Sequence, residues 1–507
     1  MSGKVSIVLI ALAVVGACWM GVAAYLSSTR PDGTTAYIPL PPESPVGSTG
    51  PDVNDAEPLD SDMRARIAPT EVAPAPKTTT PQPDNHPPAA SQAALPSYQK
   101  KMQLGAKRAS FWPDTPLEWL QQYLKSVPSV ESLAVHPSAL TPESIDLIAG
   151  SGNVKELTVG VVHLLSDEAA KALPRLTGVE SVSIGTNQPY SSNSGPVEEE
   201  LNPFIQPFFS MPDLKALSIG GTINDELLRS ISELGQLETL RLDNNNDLRR
   251  HDKITTAGIL HLSRLSGLRE LVMINFTVGR HRIDLDRLTD LLSGFPGLER
   301  LSLSGWTVAD KHLALCSSVL CRLSHLDLSG TGITDGFYRN IDATWMLEEL
   351  SAPGIGDQGL QAVASAPNLK RLSAGERVTD VGVKSLAENA RRLEALSIGH
   401  AGITDESLIA LQQCQSLKEL SVRFTASITA TGLKQLCEAR QLEILDTSGN
   451  KFVTSLFVEE LLSVSPSLKT LIHYPFSILT SGDRQKLMSE FPGVTIAPAP
   501  IAGQWYQ

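Results

Sequence analysis

One short pattern returns through most of this chain and limits what it can fold into. From Ser129 onward, aliphatic residues recur at positions 1, 4 and 6 of a six-residue stretch, most clearly in LERLSL (298–303), LSHLDL (323–328), LEALSI (393–398) and LKELSV (417–422). Aligning the weaker copies gives first positions at Val130, Val154, Val179, Leu214, Leu237, Leu268, Leu298, Leu323, Leu347, Leu369, Leu393, Leu417, Leu442 and Leu468. These are fourteen copies, most often 24 or 25 residues apart, and a degenerate one, Phe491, Val494 and Ile496, follows. Apolar residues alternating over so few positions mark a strand with one buried face. A strand of this kind cannot cover its own apolar side, so the copies must stack on one another.

A second signature follows most strands: Leu165-Ser166-Asp167-Glu168, Ile223-Asn224-Asp225-Glu226, Ile333-Thr334-Asp335, Val378-Thr379-Asp380 and Ile403-Thr404-Asp405-Glu406. Each reads as a helix start, in which the Ser, Asn or Thr caps free backbone N–H groups and the acid behind it sits where the helix dipole favours negative charge. Thr141-Pro142-Glu143 adds proline at the first helical position. Glu143, Asp310 and Asp357 belong to the same periodic set of acids. About ten residues of helical pattern then lead to the next strand, Leu408 and Leu411 among them.

Strand and helix alternating on this period resemble the leucine-rich repeat family, in the subclass with a full helix per repeat, as in ribonuclease inhibitor and F-box-type repeat domains. The resemblance covers about three quarters of the chain and implies an α/β solenoid shaped as a horseshoe, with a parallel sheet on the concave face and helices on the convex one. It implies a scaffold and no particular activity. No F-box is evident. Residues 99–128 are expected to be a helical N-terminal cap with Trp112, Leu117, Trp119, Leu120 and Leu124 as its apolar face; repeats fill 129–490, and 491–507 form a C-terminal cap.

Ahead of the repeats, Val5 to Leu26 carry no charge, and about 20 such residues span a bilayer as a helix. A retained transmembrane helix is expected over 1–26, with the bulk of the chain on the non-cytoplasmic side. Two rival fates stay open: cleavage after Ala24, and lipidation at Cys18 within the lipobox-like Val15-Gly16-Ala17-Cys18. Residues 27–98 are rich in Pro, Thr and Ser and read as a disordered spacer. The five cysteines (Cys18, Cys316, Cys321, Cys414 and Cys437) form neither a disulfide framework nor a zinc motif. With 42 basic residues against 55 acidic ones, the net charge of −13 argues against a nucleic-acid partner.

The resemblance points positions 3, 5 and 7 of each strand to the concave face. Position 5 is mostly serine (Ser183, Ser218, Ser302, Ser351, Ser373, Ser397, Ser421), and position 7 adds Gly160, Gly185, Gly220, Gly375, Gly399, Ser304, Ser329 and Ser448. A flat, uncharged floor is expected, interrupted by Arg241, Asp243, His325, Asp327, Arg371, Arg423 and Tyr474; it reads as a face that binds nothing and drifts toward small residues, or alternatively as one that a partner's backbone or helix approaches closely. Position 9 holds Thr222, Asn245, Thr331, Thr425 and Asn450, read as turn-bonding residues.

Three long spacings of 35, 31 and 30 residues follow Val179, Leu237 and Leu268. The first insertion carries Tyr190, Glu198 to Glu200, Phe204, Phe208 and Phe209; the second has Arg249, Arg250, His251 and Lys253; the third has Arg280, His281 and Arg282. Basic loops from adjacent repeats are expected side by side, offering a site for an acidic protein partner or a carboxylate- or phosphate-bearing ligand. The alternatives are pairing with Glu198 to Glu200, or plain solvation. No catalytic motif with GxSxG, P-loop, HExxH or GxGxxG spacing occurs, so no enzyme, cofactor or metal site is expected. The overall expectation is a membrane-anchored recognition or scaffolding protein, against two alternatives: a secreted or lipid-anchored envelope protein, and an adaptor subunit of an enzyme complex.

Overall fold

A computed structural model describes residues 108–111, 116–160, 164–185, 202–221, 223–244, 254–276, 283–439, 441–473 and 479–498. The apolar segment 5–26 and the spacer 27–98 lie outside the described residues. Among the described residues no helix is long and apolar enough to cross a membrane.

Among the described residues the aliphatic positions build sixteen strands. They are β1 Arg108–Phe111, β2 Ser132–Val135, β3 Glu156–Gly160, β4 Ser181–Gly185, β5 Ala216–Gly220, β6 Thr239–Asp243, β7 Glu270–Ile274 and β8 Arg300–Ser302. The rest are β9 His325–Asp327, β10 Glu349–Ser351, β11 Arg371–Ala374, β12 Ala395–Ile398, β13 Glu419–Ser421, β14 Ile444–Asp446, β15 Thr470–His473 and β16 Thr495–Pro498. They pair in sequence order, each parallel to the next, as a stack of strand–helix units requires. Register puts the position-4 leucines in one line: Leu301, Leu326, Leu350, Leu372, Leu396, Leu420, Leu445 and Leu471. All are at most 3% exposed, within one continuous core.

The N-terminal segment departs from an all-helical cap. Its helix, Leu117–Ser126, buries Leu120, Tyr123 and Leu124, but Leu117 is exposed. Ahead of it β1 extends the sheet, Arg108 lying opposite Ser132. The first insertion is not an exposed loop throughout: Asn202–Ile205 and Gln206–Ser210 are helical, Phe208 is fully buried, and Phe204 and Phe209 pack on the core. Cys316, Cys414 and Cys437 are buried, and Cys321 is half-buried.

The helix starts are capped by Ser166, Asn224, Thr334, Thr379 and Thr404, each accepting a backbone N–H one turn on. The acid behind the cap also reaches into the following repeat. Asp380 accepts from Thr404 N at 2.9 Å and Thr404 Oγ at 2.8 Å. Asp225 holds Thr255, Asp310 holds Thr334, Asp357 holds Thr379 and Asp405 holds Thr429 through the same two bonds. These carboxylates staple successive repeats. The staple explains glycine two residues into the next helix: a Cβ at Gly382 would collide with Asp357, and one at Gly432 with Asp405. Where serine replaces glycine, Ser407 Oγ joins the staple, donating to Asp380 at 2.5 Å.

Candidate functional site

Positions 4 and 6 bury their side chains between sheet and helices, so alternation sends positions 3, 5 and 7 to the other face. There the position-3 residues Arg300, His325, Glu349, Arg371, Ala395 and Glu419 stand in register on β8 to β13. His325 Nε2 lies 3.5 Å from Glu349. Ala395 is too short to take part, and Arg371 crosses it to donate twice to Glu419, at 2.9 and 3.1 Å. A hollow of about 30 Å³ remains there, lined by Ser351, Ser373 and Ser397 beneath the charges.

Partial burial sets the electrostatics of this row. Burial and the neighbouring Arg300 push His325 down to about 4, so its imidazole is neutral at pH 7. Burial raises Glu349 above the usual carboxylate range, against the pull of Arg371 and Arg300. Burial works to lower Arg371, but its bonds to Glu419 outweigh this and raise it. Arg371 and Glu419 are thus paired across Ala395, with Glu349 and the neutral His325 beside them.

The serine floor is less open than its composition suggests. Ser302, Ser351, Ser373 and Ser421 at position 5 are at most 7% exposed, and Ser304, Ser329 and Ser448 at position 7 at most 8%. They are sheltered by their neighbours and by one another. Ser302 Oγ donates to Asp327 at 2.7 Å, and the Ser329 and Ser351 hydroxyls are 2.7 Å apart. Asp446, fully buried and raised by burial, accepts from Ser448 N at 2.9 Å and faces Arg423 Nε at 3.5 Å. Ser183, Ser218 and Ser397 remain half-exposed.

Of the candidate binding residues, Arg241 on β6 pairs with Glu270 on β7, while His325, Arg371 and Arg423 take the partners just described. The structure thus brings His325 and Arg371 together around Glu349 and leaves Arg241 and Arg423 on separate strands. Arg249, Arg250, His251, Lys253, Arg280, His281 and Arg282 lie outside the described residues, as do Thr222, Asn245 and Tyr474. The sequence reading missed the acceptors Glu270, Glu349 and Glu419; their recurrence at position 3 was the available signal. At position 9, Thr331 Oγ donates to Leu328 O and closes its own turn, whereas Asn450 Nδ2 donates to Val422 O in the preceding repeat and ties the two turns together.

Ser324 Oγ lies 2.8 Å from His325 Nδ1, the arrangement nearest to a nucleophile and base. That hydroxyl also sits 3.0 Å from the Glu299 carbonyl, a backbone acceptor for its proton. Among the described residues no cluster of three or more His, Cys, Asp or Glu is placed to hold a metal ion. At position 8 the chain turns through positive φ, with Gly305, Gly330 and Gly449 in three repeats but Asn275, His400 and Phe424 in others. His400 and Phe424 stack with ring centroids 4.8 Å apart, a strained pair at the strand ends.

Comparison with known proteins finds the family model described as Leucine Rich repeat matching residues 413–437, which hold β13 and most of the helix after it. That match falls within the ladder of units already described. The chain carries a leucine-rich repeat at these residues. This repeat protein is 44% identical over 69 residues to a Transport inhibitor response 1-like protein of Oryza sativa subsp. japonica, a match spanning 13% of this chain and 12% of that protein. It is also similar to a chain of the yeast Rad7 and Elc1 complex, with TM-score 0.45 and 16% identity over 80% of this chain and 94% of that one. An internalin (inlF) from Listeria monocytogenes gives TM-score 0.36 and 19% identity over 76% and 90%.

Proposed function

We propose that this leucine-rich repeat protein is a non-enzymatic recognition or scaffolding protein that binds a protein partner across the open face of its sheet. The observation that carries the reading is the in-register row from Arg300 to Glu419, its charges held half-buried over a hydrogen-bonded floor. Charges fixed before contact cost little further entropy on binding, and their order along the sheet supplies specificity. Residues 5–26, without a charge, support a membrane anchor, and Lys4 on one flank against Arg30 followed by Asp32 on the other tilts this reading toward repeats on the non-cytoplasmic side.

Affinity purification of the full-length protein tests the first part. Ser397→Trp, placing bulk on the half-exposed floor, is expected to lose the partner that wild type retains, whereas Ile409→Asp on an exposed helical position keeps it. Equal recovery with both variants overturns the reading. Amino-terminal sequencing of membrane fractions tests the second: an intact start supports the anchor, and a mature start at Tyr25 or Cys18 overturns it.

A further inference from the structure

Asp243 is the one described acid of the sheet face with no partner for either carboxylate oxygen, although only 8% of the residue is exposed. It ends β6 at position 7. The base nearest to it on that strand, Arg241, is drawn to Glu270 instead. Burial raises Asp243 to about 6, so it is still mainly ionised at pH 7. A buried, unpaired carboxylate is costly to the folded chain.

Register places Gly220, Gly185 and Gly160 in line beside Asp243, on β5, β4 and β3. A Cβ built at Gly160 or Gly185 meets nothing within 4 Å, and neither residue has the positive φ that favours glycine. Neither packing among the described residues nor backbone conformation therefore requires glycine at these two strand positions. The lane from Gly160 to Asp243 crosses three strand spacings, about 14 Å, the length of about four extended residues. Its floor admits a backbone at close range, and it ends on an uncompensated negative charge.

We propose that this lane receives an extended segment of the protein partner, which seats a lysine or arginine against Asp243. The proposal rests on the recognition reading above and names the chemistry its partner must present at one end of the sheet. The partner's cation supplies the charge that β6 lacks, and the glycines let its main chain lie low enough to deliver it.

The test uses full-length protein and a synthetic library of ten-residue peptides, each with one central lysine, beside the same peptides acetylated at that lysine. Binding is read by fluorescence polarisation and stability by thermal melting without peptide. Wild type is expected to select lysine peptides and to bind their acetylated forms at least ten-fold more weakly. Asp243→Asn is expected to lose that preference while melting at a higher temperature, because the unpaired charge is gone. Gly185→Val, whose Cβ meets nothing within 4 Å, is expected to melt no lower and to lose the peptides. No selection for lysine, unchanged selection in Asp243→Asn, or a lower melting temperature for that variant each overturns the proposal. If Ser397→Trp abolishes partner capture while Asp243→Asn and Gly185→Val capture normally, the recognition reading stands and this inference falls.

Discussion

Replacing Asp380 by alanine removes the best-connected staple between two repeats. Four donors converge on its carboxylate: Thr404 N at 2.9 Å, Thr404 Oγ at 2.8 Å, Ser407 N at 3.2 Å and Ser407 Oγ at 2.5 Å. A hydrogen bond to a charged group contributes about 1.5–3 kcal/mol, and a stranded buried N–H costs about 1–3 kcal/mol. The bonds share one half-exposed acceptor and do not add in full; the two hydroxyls turn to water once it is gone. The expected loss for Asp380→Ala is about 3 kcal/mol. Asp405→Ala breaks two such bonds, to Thr429 N and Oγ, and is expected to cost about half as much. The pH dependence carries a sign of its own. Burial acts to raise Asp380, but its bonds from Ser407 and Thr404 outweigh this and hold it below 3.8. Its contribution is therefore present above the unfolded value and is lost as pH falls through the folded one. Urea unfolding at pH 7, with hydrogen exchange at the Thr404 amide, measures both the loss and its location. A cost below about 0.5 kcal/mol, as at ordinary surface sites, would refute the staple.

Three further outcomes follow from the same structure. Leu396→Ala, at a position 2% exposed in the line of buried leucines, is expected to cost about 2–5 kcal/mol in urea melts. His325, pushed down to about 4 from 6.5 by burial and Arg300, contributes stability that is complete above 6.5 and is lost as pH falls toward 4. His325→Gln should remove that acid sensitivity, about 3 kcal/mol across the window, as read from melts at pH 7 and pH 4.5. Asp243 works in the opposite sense: raised from 3.8 to about 6, it favours the folded state below 3.8 and loses that benefit as pH rises through 6. Asp243→Asn should therefore flatten the stability profile between pH 4 and 6 and leave the protein more stable at pH 7.

The strands were legible because burial of positions 1, 4 and 6 forces an aliphatic residue there in nearly every copy. The strand β1 escaped because position 4 holds Ala109 where other copies carry leucine or valine, so it declares itself only through pairing with β2. The helix caps were legible, being local. The staples were not: Asp380 and Thr404 are 24 residues apart and meet only when the repeats stack. The serine floor was misjudged for a related reason. Small polar residues read as exposed, yet Ser421 and Ser448 are fully buried, sheltered within the sheet by neighbouring strands. Arg241, Arg371 and Arg423 of the sheet face were found in the sequence, but not Arg300 of the same row, nor the acceptors. Glu349 and Glu419 look like any surface acid until the register of β9 to β13 sets them beside His325 and Arg371.

Site-specific photo-crosslinking in the full-length protein tests the central claim, recognition through the sheet face, most directly. A photoreactive residue is placed at Ser397 on the half-exposed floor of β12 in one protein, and at Ile409, 55% exposed among the helices, in another. The account predicts that one protein partner is cross-linked from Ser397 and not from Ile409. Cross-linking of that partner from Ile409 alone would contradict it.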